Sequence, residues 1–86
     1  MKTFEDLKFK PCYTGFQAIM EFNNGYGVSV LFGNMAYSNG IDTYELAVLE
    51  NGNLCYDTPI TDDVLAYITE EEVTKAMEEV QKLPKR

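Results

Sequence analysis

Three Asn-Gly dipeptides, Asn24-Gly25, Asn39-Gly40 and Asn51-Gly52, punctuate the first two-thirds of the chain. Each stands between runs in which apolar and other residues alternate, a strong local signal for a β-hairpin. The dipeptide permits two loop lengths. They differ in which strand faces they bring together, because side chains along a strand alternate with a period of two. Phe16, Ala18, Met20 and Phe22 share one side of the first run, and Tyr26, Val28, Val30 and Phe32 share one side of the second. A two-residue loop would set Phe22 against Gly27 and mismatch those sides. A three-residue loop, Asn23-Asn24-Gly25, pairs Phe22 with Tyr26, Met20 with Val28 and Ala18 with Val30. It places Gly25 in the left-handed conformation that glycine tolerates.

The same loop applied twice more extends the sheet. Ser38-Asn39-Gly40 then pairs Phe32 with Leu46 and Val30 with Val48, and Glu50-Asn51-Gly52 pairs Val48 with Leu54 and Leu46 with Tyr56. The expected product is a four-stranded antiparallel β-meander over residues 16–57. A bulge at Gly33-Asn34 is the one feature that would undo its parity.

The following segment is helical by its local chemistry. Thr69 is an N-cap, Glu72 completes a capping box, and Ile68 and Val73 stand at the hydrophobic-staple positions. Glu70 and Glu71 occupy the first turn, where the helix dipole favours anions. Val73, Ala76, Met77 and Val80 form an apolar stripe with Leu83 at its end, Lys82 lies in the last turn and Pro84 stops the helix. Ahead of it, Thr61-Asp62-Asp63-Val64-Leu65 has the look of a short helical elbow capped by Thr61. The fold class is therefore α+β, with a C-terminal α-helix packed on one face of the meander. The chain is a single domain over 1–86: an N-terminal segment at 1–15, the meander at 16–57, and the elbow and helix at 61–83.

The other face of the meander holds Gln17, Glu21, Ser29, Thr43 and Glu45, but also Ile19, Leu31, Ala47, Leu49 and Cys55. In the expected register Leu31, Ala47 and Cys55 are cross-strand neighbours, with Ile19, Ser29 and Leu49 in a second row. Two readings stand side by side. The N-terminal segment covers this patch with Phe4, Leu7 and Phe9, or Ile19, Leu31 and Leu49 form a contact surface for a partner or a second copy.

Charge narrows the function classes. Residues 57–79 carry Asp57, Asp62, Asp63, Glu70, Glu71, Glu72, Glu78 and Glu79 against Lys75 alone, which accounts for the whole formal charge of −7. Direct binding to nucleic acid or to an anionic membrane is disfavoured, since both require clustered Lys and Arg. No run of about 18 apolar residues spans a membrane. The start, Met1-Lys2-Thr3-Phe4-Glu5-Asp6, has no apolar signal-peptide region, and the expected compartment is the cytoplasm. There, Cys12 and Cys55 are expected as structural free thiols, in a pattern that fits no zinc site or disulfide framework.

Catalytic signals are weak throughout. The chain has no histidine, the usual general base and commonest metal ligand. It carries no nucleophile elbow, phosphate-binding loop or dinucleotide fingerprint. Asp57, Asp62 and Asp63 offer oxygen ligands, but without calcium-loop spacing. No catalytic residue, metal site or cofactor is expected.

The stretches Phe4-Glu5-Asp6-Leu7-Lys8-Phe9-Lys10-Pro11, Asn24-Gly25-Tyr26-Gly27-Val28-Ser29-Val30 and Tyr56-Asp57-Thr58-Pro59-Ile60-Thr61-Asp62-Asp63-Val64 resemble small uncharacterised proteins encoded by bacteriophages and prophages. The resemblance covers nearly the whole chain and rests on turn, strand and cap residues, so it carries over no chemistry. It implies a protein made in the cytoplasm of an infected bacterium. Small acidic phage proteins of this sort often bind and block a host protein, including nucleic-acid-handling defence enzymes.

The leading expectation is a non-enzymatic phage accessory protein that binds and modulates or inhibits a host protein, in the manner of an anti-CRISPR or other anti-defence factor. Asp62, Asp63, Glu70, Glu71, Glu78 and Glu79 would present negative charge to a basic, nucleic-acid-handling partner. Tyr13, Tyr37 and Tyr67 would suit such a contact. The alternatives are a small self-associating structural or regulatory protein, a homodimer through Ile19, Leu31 and Leu49, or a small-ligand sponge for a nucleotide.

Overall fold

The structure, a computed structural model, describes residues 1–13, 15–33, 43–55, 58 and 64–85. Among these, six antiparallel strands and one helix follow a short 3₁₀ turn at Phe4–Asp6. The strands are β1 (Lys10–Cys12), β2 (Gly15–Glu21), β3 (Tyr26–Gly33), β4 (Tyr44–Glu50), β5 (Asn53–Leu54) and β6 (Val64–Ile68), and the helix is α1 (Glu70–Gln81). The α+β class and the C-terminal helix stand, but the sheet has six strands where four were expected. Its order is β1-β2-β3-β4-β5, with β6 also pairing β4. β5 meets β4 at Leu49 and Glu50, whereas β6 meets it from Tyr44 to Ala47, so these two short strands share one edge.

The first hairpin forms in the expected register. Ala18 pairs with Val30 and Met20 with Val28. The Phe22 N–H donates to the Tyr26 carbonyl at 2.7 Å, and Gly25 has φ +86°. Gly27, in β3, is needed for a different reason. A Cβ there would lie 2.5 Å from the Met20 carbonyl oxygen, closer than such atoms approach.

The other two pairings depart from expectation. Val30 pairs with Leu46 and Val28 with Val48, a two-residue slip from the Phe32–Leu46 pairing. An even slip leaves every side chain on its expected face. The proposed Ser38-Asn39-Gly40 loop lies outside the described residues. At the third dipeptide the loop is two residues long. Glu50 pairs with Asn53 and Leu49 with Leu54, and Asn51 and Gly52 both have positive φ, +50° and +83°. Two consecutive left-handed residues define a type I′ turn, which matches strand twist better than the longer loop. The odd shift reverses the faces beyond it. Leu54 points away from the helix and is exposed, whereas Cys55 joins the core. Leu46 meets Leu65 of β6, and Tyr56, its expected partner, lies outside the described residues.

Two strands appear where none was expected. Lys10-Pro11-Cys12 pairs with β2, and Pro11 opposes Phe16. Val64 and Leu65, expected in a helical elbow, belong to β6. The register of β6 shifts between its Ile68–Tyr44 and Leu65–Leu46 pairs, near Tyr67, whose φ is +55°. Such a bulge breaks the alternation by which a strand is recognised.

The core lies between the sheet and α1. Leu46, Met77, Val28, Val30, Val48, Val73 and Val80 are fully buried there. Burial of each such side chain contributes about 1.5–3 kcal/mol. The buried residues of α1 are Val73, Ala76, Met77 and Val80, the stripe expected from spacing. A helix of 12 residues is marginal alone, so this packing holds it. The capping box is formed in both directions: the Glu72 N–H donates to Thr69 Oγ1 at 3.3 Å, and the Thr69 N–H to Glu72 Oε1 at 2.9 Å.

The N-terminal segment packs on the helix side, not on the opposite face that Phe4, Leu7 and Phe9 were considered to cover. The Phe4 N–H donates to Thr74 Oγ1 of α1 at 3.0 Å. Phe4 and Phe9 surround Tyr44 with ring centroids 5.0 and 5.9 Å away, and Phe32 completes the group at 5.1 Å. Leu7 enters the main core.

Candidate partner-binding surfaces

Burial of the apolar stripe turns the charged side of α1 outward. Glu71, Lys75, Glu78 and Lys82 follow one another at helical spacing and so share a face, with Glu79 beside them. Glu70, Glu71 and Glu79 are exposed and Glu78 is half-buried. These carboxylates are not equivalent. Glu72 is committed to the cap, and Glu70 accepts a hydrogen bond from the Tyr44 hydroxyl at 3.4 Å. Among the described residues no side-chain hydrogen bond occupies the Glu71 or Glu79 carboxylate, which leaves both available to a partner. Asp62 and Asp63, the other expected members of this edge, lie outside the described residues, as does Tyr37. Tyr13 and Tyr67 are exposed, Tyr13 almost completely at 96%.

The sheet face opposite α1 is less uniform than expected. Ile19 is 60% exposed, Leu31 is half-buried and Leu49 is only 5% exposed. Corrected register also rearranges the rows: Ile19 neighbours Ser29 and then Ala47, Leu31 lies between Gln17 and Glu45, and Leu49 lies between Gly27 and Leu54. Cys55 is not part of this face. The apolar side chains freely open to solvent here are therefore Ile19 and Leu54, in different rows.

Cys12 and Cys55 are free thiols, half-buried and buried respectively. Each is 3.7 Å from a side-chain oxygen, Cys12 from Gln17 Oε1 and Cys55 from Glu50 Oε1. Among the described residues no three His, Cys, Asp or Glu side chains gather as a metal site, and no helix is long and apolar enough to cross a membrane.

Two features have roles that sequence reasoning missed. Asn24 does more than form a turn: its Oδ1 accepts from the Tyr26 N–H at 3.1 Å while its Nδ2 donates to the Val80 and Leu83 carbonyls at 2.8 and 3.1 Å. One side chain thus joins the Leu83 N–H in satisfying the Val80 carbonyl and reaches the Leu83 carbonyl just past the end of α1, where carbonyls lose their regular helical donors. The Asn23-Asn24 doublet was its only sequence trace. The second feature is a groove of about 530 Å³ between the N-terminal segment and β2, lined by Lys8, Lys10, Cys12, Gln17, Ile19 and Met20 among others. No local pattern signals it, because it depends on where the chain leaves the sheet.

No protein-family model matches the chain, and neither a curated protein nor a solved structure matches it significantly.

Proposed function

We propose that this protein is a non-enzymatic phage accessory factor that binds and inhibits a host protein, using the outward side of α1 against a basic, nucleic-acid-handling surface. The observation that carries the proposal is the concentration of charge. The whole formal charge resides in residues 57–79, and α1 holds Glu71 and Glu79 exposed while its apolar side is buried. Carboxylates so placed raise the rate of encounter with a cationic surface and disfavour acidic competitors. In an infected bacterium the partner class would be an anti-phage defence enzyme, the target of anti-CRISPR-like inhibitors. Acting by occupying such a surface requires neither a catalytic group nor a cofactor.

The test is affinity capture from bacterial lysate with the wild-type protein and with the Glu71→Lys/Glu79→Lys variant. The expected result is a cation-rich protein retained by the wild type at low salt, released at high salt and not retained by the variant. Both positions are exposed, so circular dichroism should show the variant folded. Identical captures by the two proteins would reject the acidic surface as the binding site.

A self-associating protein is the second reading, and exposed Ile19 favours it. It predicts a dimer in sedimentation equilibrium that Leu31→Asp dissociates; a monomer at high concentration removes it.

A further inference from the structure

The outer edge of β2 is only half covered. β1 pairs with Gly15, Phe16 and Gln17 and goes no further. β2 continues to Glu21. Antiparallel ladders alternate between hydrogen-bonded and non-hydrogen-bonded pairs. The Phe22–Tyr26 bond places the even-numbered residues of β2 in hydrogen-bonded pairs with β3. Ile19 and Glu21 therefore aim their N–H and C=O groups at the opposite side, beyond the end of β1. Among the described residues no backbone or side-chain group bonds to them.

The groove lies along this open edge. Its walls are the N-terminal segment, which joins the sheet only at Lys10 after turning Leu7 and Phe9 towards the core, and the β2 residues Gln17, Ile19 and Met20. Lys8 and Lys10 line it, both exposed and neither in an ion pair. Asp6 also lines the groove, but one of its carboxylate oxygens is engaged within the N-terminal turn, and Glu21 is directed away. Asp6 Oδ2 accepts from the Thr3 N–H at 2.9 Å. Glu21 reaches across Gly27 towards the last turn, its Oε1 lying 3.8 Å from where a Cβ on Gly52 would be. A chain that is acidic overall thus keeps a local cationic slot beside free strand hydrogen-bonding groups.

We propose that this slot receives an extended acidic peptide segment of a partner protein, which adds as a strand to β2 at Ile19–Glu21. The main chain of the peptide bonds Ile19 and Glu21, and its acidic side chains meet Lys8 and Lys10. Strand addition to an unpaired edge is a general mode of peptide recognition, with main-chain bonds supplying affinity and alternate side chains specificity. A peptide residue opposite Ile19 would project from the same face as Lys10, because Lys10 opposes Gln17, two residues along. This site is separate from the outward side of α1 and does not depend on the role proposed for it.

The probe is the terminally blocked peptide Val-Glu-Val-Glu-Val, titrated into the ¹⁵N-labelled full chain and followed by amide shifts and hydrogen exchange. The expected result is shifted and protected Ile19 and Glu21 amides, with binding about tenfold weaker in the Lys8→Glu/Lys10→Glu variant. Val-Lys-Val-Lys-Val should not bind. Equal binding of the two peptides, shifts elsewhere, or no shifts at millimolar peptide would overturn the proposal. Concentration-dependent protection of Ile19 in the protein alone would place a second copy on the edge and overturn the acidic-peptide assignment too.

Discussion

The first and last Asn-Gly loops are built from the same dipeptide and produce opposite parities. At Asn24-Gly25 the turn has three residues and one left-handed glycine, and Phe22 faces Tyr26. At Asn51-Gly52 it has two residues, both left-handed, and Glu50 faces Asn53. The surroundings explain the difference. The first loop is tied by Asn24 to the end of α1, and long strands with matched apolar sides follow it. The last is followed by only two strand residues, so little burial enforces register and the turn's own twist preference decides. A local signal fixes that the chain turns; burial beyond the turn fixes how.

Substitutions can break this comparison, and the largest effect is expected at Gly27. Gly27→Ala forces a Cβ against the Met20 carbonyl where β2 and β3 have no room to separate, and should cost about 3 kcal/mol in urea unfolding. Asn24→Ala should cost about 2 kcal/mol, since it removes the donor to the Leu83 carbonyl and leaves the Val80 carbonyl only the Leu83 N–H at 3.1 Å. Its distinguishing mark is faster amide exchange in the last turn of α1, far away in sequence. Gly52→Ala should cost about 1 kcal/mol, because the added Cβ would make only an ordinary contact with Glu21 Oε1 at 3.8 Å and the positive φ alone resists the change. Equal costs at Gly27 and Gly52 would show that β2 and β3 separate readily to admit a Cβ at Gly27.

These differences mark what the sequence could disclose. The helix was legible nearly to the residue, because cap, staple and stripe are all written within about four positions of one another. The register of the first hairpin was legible because its loop is short and both flanking runs alternate. The second pairing slipped by two because its connection is long and the alternating pattern accepts any even shift. β1 and β6 stayed hidden: Pro11 reads as a break in a strand, and the bulge near Tyr67 disrupts alternation. Acidity of the helix surface could be counted directly, since Glu71 and Glu79 fall outside the stripe. The open edge at Ile19 and Glu21 could not, because it arises from Phe9 and Leu7 turning into the core, a long-range choice.

The proposed function rests most heavily on Glu71 and Glu79 meeting a cationic partner. The most direct test is the association rate constant for the captured host protein, measured across ionic strength with the wild type and the Glu71→Lys/Glu79→Lys variant. The rate should fall steeply with salt for the wild type, and be slower and nearly salt-independent for the variant. An association rate that ignores salt, or that charge reversal leaves unchanged, would contradict the account.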